Sequence, residues 1–298
     1  FTAITGSGPR DIYAAGSNGV LHWDGTSWSV DRTAPRLTRI ASAATNDVWG
    51  TTGPLLYHFN GSTWQFVATS NPQENLFAYG RSVWVLGRGA GELWRVEGNN
   101  LVPFYNNVAI PDLGYADSNL RRIWIGSSTD AWAVGDQGTI AHFDGVLWTK
   151  QPSVTIERLN AIDGLSGKDL WVGGSNGLLL HYDGTSWTKT PTPPSIATQT
   201  ILSIWTSFGG PLWYLTDKGV VVHGIGAGGS PQQLGDGNNL YSGCIWGTDP
   251  KHLFLATAGQ IFGWEPLTFR WQSALANTYT ASGGAGSSAT DAWVGGPG

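Results

Sequence analysis

Charge is scarce in this chain. Only 12% of its 298 residues are Asp, Glu, Lys or Arg, about half the share usual in a globular domain, and the formal net charge is a mild −5. There is no basic stripe or Lys/Arg run, so nucleic acid is not an expected partner. Cysteine occurs once, at Cys244, so no intrachain disulfide can form. Within Ser242-Gly243-Cys244-Ile245-Trp246 it reads as a small buried hydrophobe rather than a nucleophile. No apolar run approaches the roughly 18 to 20 residues that span a bilayer as a helix. Methionine is absent and the chain begins at Phe1, which reads as a mature or excised segment in which a signal peptide would not be visible.

Glycine and tryptophan are abundant instead, with 43 and 17 residues. A helical bundle would need Glu, Lys, Ala and Leu in their place. With 41% apolar residues and 12% aromatics the chain can bury a core, which excludes general disorder. Many tight turns combined with aromatic packing point to an all-β protein, and the length suits a single domain over residues 1–298. Low lysine with high Trp, Gly, Ser and Thr leans towards an extracellular or cell-surface location.

The sequence is a repeat. An aromatic recurs at Tyr13, Trp49, Trp84, Trp132, Trp171, Trp213, Phe254 and Trp293, a span of 280 residues in seven steps with a mean of 40. An aspartate stands two residues earlier at Asp11, Asp47, Asp130, Asp169 and Asp291, with Ser82, Pro211 and His252 in the other periods. Each period holds four strand-like pieces. The third ends in a His-aromatic-Asp-Gly turn (His22 to Gly25, His142 to Gly145, His181 to Gly184, with Asn60 for Asp at His58 to Gly61), and the fourth begins at Trp28, Trp64, Trp148 or Trp187. Four short strands per roughly 40 residues is the signature of a β-propeller of four-stranded antiparallel blades. Seven periods are complete, and Tyr279 to Gly296 supplies half of another. Eight blades with an incomplete last one is favoured over seven with an added C-terminal pair.

The pattern Asp-x-Trp-x-x-Gly, then His-aromatic-Asp-Gly-x-x-Trp, resembles the propeller repeats of secreted bacterial proteins. It is also similar to the Asp-box or BNR repeat of sialidase-like propellers. It departs from the Asp-box in that Asp183 and Gly184 are adjacent, where that motif has one residue between them. The resemblance implies a fold and little about function, because propellers host lectins, hydrolases, lyases and docking platforms.

Most of the repeated residues have structural roles by this logic. The histidines in one register (His22, His58, His142, His181, His223) fall on different blades and so cannot converge on a metal. Each is expected to bond its own turn or nearby backbone. The turn aspartates should accept local N–H groups, and the repeated tryptophans should fill the wedges between blades. Candidate ligand-binding residues come from breaks in the repeat. Trp124, Trp205 and Trp246, with Asp163 at the same level, are candidates: the tryptophans stand eight residues before the repeating aromatic, where Thr5, Ala41 and Asp163 are small or polar. The insertion from Phe104 to Asn119 carries Tyr105, Asn106, Asn107, Asp112 and Tyr115, types suited to sugar hydroxyls or a protein partner. No catalytic residues, metal site or cofactor are assigned. Arginines are scattered, with only Arg36/Arg39 and Arg121/Arg122 near first strands. The expected function is a non-catalytic recognition module. Carbohydrate binding of a lectin-like kind comes first, protein docking or assembly second, and a sialidase-like or other glycan-active enzyme third. The oligomeric state is left open.

Overall fold

The computed structural model describes residues 3–8, 10–16, 19–69, 73–79, 82–87, 93–98, 100–103, 120–206, 209–234, 243–249, 252–265, 270–280, 283–288 and 291–295. They form eight antiparallel sheets, numbered here in chain order. Six have four strands, the seventh three and the eighth two. Sheet 4 is representative: Leu120–Ser127, Asp130–Gly135, Ile140–Phe143 and Trp148–Lys150, each strand beside the one before it. Sheet 5 repeats it with Leu159–Ser166, Asp169–Gly174, Leu179–Tyr182 and Trp187–Thr190. The first strand of each sheet lies against the first strand of the next. Gly283–Ser288, in sheet 8, touches both Gly243–Asp249 of sheet 7 and Ala3–Gly8 of sheet 1. The eight first strands therefore close a ring, which is a β-propeller, and the half-repeat at the end of the chain completes the circuit. No helix among the described residues is long and apolar enough to cross a membrane.

Sheet 7 has three strands because its second and third repeat pieces run together as His252–Glu265. Thr257-Ala258-Gly259 offers one glycine, but neither the Asx residue nor the proline found at other turns of this kind, such as Asn176-Gly177 or Gly53-Pro54.

The turns follow from local chemistry. Asp144 Oδ1 accepts the N–H groups of Val146 (2.9 Å) and Leu147 (3.0 Å), and Asp183 Oδ1 those of Thr185 (2.8 Å) and Ser186 (2.9 Å). Gly145 (φ 100°) and Gly184 (φ 89°) occupy the left-handed region that the turn requires. The sequence reading of these aspartates as turn-formers is borne out.

The core lies between the sheets. Where the following sheet carries an aromatic pair, the aromatic of the Asp-x-Trp strand meets it. Trp84 packs edge-on to Phe143 (4.9 Å between ring centres) and Trp148 (5.4 Å), and Trp132 meets Tyr182 (4.8 Å) and Trp187 (5.7 Å). Trp84, Trp148 and Trp213 are essentially inaccessible. Rings of this size bury about 150–250 Å² each, enough to hold twisted sheets together without disulfides or metals.

Candidate functional site

The second and third strands of a sheet carry a three-residue lock. In sheets 1, 2, 4 and 5 the histidine stands directly across from the repeating aromatic and stacks on it, at 4.2 Å for Tyr13–His22, 4.0 Å for Trp49–His58, 4.3 Å for Trp132–His142 and 4.2 Å for Trp171–His181. Its Nε2 is 2.8–3.0 Å from Oδ1 of the aspartate two residues before that aromatic. The imidazole thus reaches the strand aspartate and not its own turn, contrary to expectation, because cross-strand pairing places the two on one face. The joint presence of Asp and His in the same four repeats was the signal in the sequence. In sheet 3, Arg95 takes the histidine's place, with its guanidinium 5.6 Å from the Trp84 ring centre.

The next sheet covers this lock. Between sheets 1 and 2, Asp11 Oδ2 accepts Ser7 Oγ–H (2.6 Å) and the Asn46 N–H (3.3 Å), and Tyr13 O–H donates to Asn46 Oδ1 (3.1 Å). Between sheets 4 and 5, Gly167 lies so close to the Asp130 carboxylate that a Cβ there would collide with it. Both covers are the hairpin joining the first and second strands of the following sheet.

Sheet 6 breaks this rule. Its first two strands, Ile201–Trp205 and Trp213–Thr216, stop pairing at Trp205↔Trp213, whereas pairing in sheet 5 continues to Ser166↔Asp169 and in sheet 4 to Ser127↔Asp130. Pro211 occupies the usual aspartate position and has no N–H for the ladder. Gly209, at φ 69°, lies in the left-handed region just before it. A groove of about 500 Å³ lies there between sheets 5 and 6. Lys168, Asp169, Trp171, His181 and Asp183 of sheet 5 face Thr206, Pro211 and Leu212 of sheet 6 across it. Two exposed apolar side chains line it, Leu165 at 43% and Ile225 at 56%. The Asp169 side chain is 42% exposed, against 37% for Asp47, 32% for Asp130 and 7% for Asp11. Hydrogen bonds from the Ser186 and Thr185 N–H groups hold the Asp183 carboxyl below its ordinary range, so it is ionised throughout the neutral region.

The predicted column falls elsewhere. Trp124, Asp163, Trp205 and Trp246 stand at one level on successive first strands, opposite Trp132, Trp171, Trp213 and Phe254. At this level Trp124, Asp163 and Thr5 tie sheet to sheet. Trp124 Nε1–H donates to the Gly164 carbonyl (3.2 Å), and Asp163 Oδ2 accepts the Thr206 N–H (2.7 Å) and O–H (3.0 Å). Thr5 Oγ1 likewise accepts the Ser42 N–H (2.8 Å). Burial pushes the Asp163 carboxyl up to about 6. Trp124 and Trp205 are half-buried against core clusters. The Trp246 side chain and all of Tyr105, Asn106, Asn107, Asp112 and Tyr115 lie outside the described residues. Arg121 forks onto Asp136 (2.6 and 3.0 Å), which also meets Arg158 (3.1 Å), so this guanidinium has a structural partner.

No family model matches the chain, and neither does any curated protein. Among solved structures it is similar to YCF48 bound to a D1 peptide (TM-score 0.61, 17% identity, covering 86% of this chain and 89% of that one). It is also similar to Sqt1 of Saccharomyces cerevisiae (0.68, 11%, 95% and 87%). A third is the WD40 β-propeller domain of Doa1 (0.58, 9%, 86% and 88%). At these identities the likeness establishes the propeller fold and nothing more specific.

Proposed function

We propose that this propeller is a recognition module that docks a segment of another protein in the groove between sheets 5 and 6. The observation that carries this is the shortened pairing of the first two strands of sheet 6, beside which a groove lies over the Asp–His–Trp lock of sheet 5. A concave site with apolar walls and a few polar groups on a rigid scaffold is the usual form of a binding site. Support comes also from the peptide carried by YCF48, a propeller of similar build. Carbohydrate binding rested on tryptophans able to stack on sugars. Trp124 has committed its indole N–H to Gly164, and both it and Trp205 pack on core clusters, which favours docking over sugar recognition.

Selection from a displayed library of random peptides, with a glycan array run in parallel, tests this. Docking predicts peptide ligands whose binding is lost in Ile225→Asp. Glycan hits without any peptide ligand would overturn it.

A further inference from the structure

We infer that the segment taken up by this groove presents an arginine or lysine next to an aliphatic residue; this deepens, and rests on, the docking function above. Two polar groups in the groove are available to a ligand, the Trp171 N–H and Oδ2 of Asp169. In sheets 2 and 4 the tryptophan N–H donates to the lock aspartate, Trp49 to Asp47 at 3.1 Å and Trp132 to Asp130 at 3.2 Å. Trp171, only 9% exposed, makes no such bond among the described residues although it lines the groove. Asp169 gives Oδ1 to His181 at 2.9 Å. Its Oδ2 accepts nothing among the described residues, as in Asp47 and Asp130, while Oδ2 of Asp11 accepts two donors. A tryptophan N–H and a carboxylate oxygen thus face one groove, where both are open to a ligand's acceptors and donors.

The charge of the lining sets the sign of that ligand. Asp169 and Asp183 contribute two carboxylates against one ammonium, that of Lys168. Lys168 lies beside the turn that follows Tyr182, with its Cβ and Cγ near Gly184. The net negative groove complements a cationic side chain, whose N–H donors would supply Asp169 Oδ2. A main-chain carbonyl of the segment would accept the Trp171 N–H. Leu165, Leu212 and Ile225 provide the apolar surface for an aliphatic neighbour.

The test uses capped, fluorescein-labelled nine-residue peptides with the central residue fixed as Arg, Lys, Gln or Glu and leucine beside it. Binding is read by fluorescence polarisation at low and high salt. Arg and Lys peptides should bind about three- to fivefold more tightly than the Glu peptides at low salt, with the advantage shrinking as salt rises. Asp183→Asn should remove most of that preference and Lys168→Glu should enlarge it, and both positions are exposed enough to leave the fold intact. Equal or tighter binding of Gln or Glu peptides, with affinity still lost in Ile225→Asp, would overturn the charge preference and leave docking standing. Binding indifferent to both Ile225→Asp and Leu165→Asp, or no binding at about 1 mM peptide, would overturn docking and charge preference together.

Discussion

Asp163 gives a prediction whose sign changes with pH. Its carboxylate sits between sheets 5 and 6, where Oδ2 takes both donors of Thr206 and the Gly164 N–H adds a third hydrogen bond. Burial outweighs these bonds and raises the group to about 6, against about 3.9 for an aspartate in an unfolded chain. A carboxyl raised in this way favours the folded state fully below the unfolded value, and that advantage is lost as pH climbs through 6. A shift of about two units is worth about 2.8 kcal/mol at full ionisation, of which about 2 kcal/mol develops between pH 4.5 and 8. Asp163→Asn removes the titration. Its amide oxygen still accepts from Thr206, but its NH₂ faces the Gly164 N–H, a loss of about 1 kcal/mol that does not vary with pH. The variant should therefore be about 1–2 kcal/mol more stable than the parent at pH 8 and slightly less stable near pH 4.5. Urea denaturation followed by tryptophan fluorescence across this range gives the difference directly, and the other titrating groups cancel in it. A difference that stays within about 0.5 kcal/mol across the range would refute the burial of an ionised Asp163.

Three further outcomes are expected. Pro211→Asp restores the missing lock residue opposite His223, which now lies tilted at 4.3 Å from Trp213 and whose proton affinity burial lowers; His223 should titrate at higher pH in an NMR experiment, and an unmoved titration would contradict the lock rule that sheet 6 breaks. Trp148→Ala empties a fully buried wedge against Trp84 and Phe143 and should cost about 3–5 kcal/mol in chemical denaturation. Asp24→Asn with Asp144→Asn should flatten the loss of stability below about pH 4: hydrogen bonds from neighbouring N–H groups hold both carboxyls low, so their contribution is present above the unfolded value and lost on acidification. The turns themselves should survive, since Asn60 accepts the equivalent bonds from Ser62 (3.1 Å) and Thr63 (3.0 Å).

The propeller was legible because each of its parts has a local cause. Asp-Gly turns, alternating strands and a tryptophan at the head of the fourth strand recur often enough that the period declares itself. Wedge packing by Trp132 or Trp148 follows from the same repetition. The lock was half legible. Asp130 and His142 stood out, but their pairing depends on cross-strand register, which no single repeat reveals. The groove was not legible at all. Pro211 was visible as an exception within the sixth period, yet the groove lies over Asp169 in the fifth, because a hairpin covers the sheet before its own. The tryptophan column misled for the converse reason. Variation among Thr5, Trp124 and Asp163 suggested freedom from packing, whereas all three serve one purpose, bonding the backbone of the next sheet with whatever polar atom they carry.

The most direct test of docking between sheets 5 and 6 is a crystal structure of the propeller with a peptide selected against it. The peptide should lie against Trp171 and Ile225, with a side chain at Asp169 Oδ2. A peptide seated across a mouth of the ring, with the groove filled only by solvent, would contradict it.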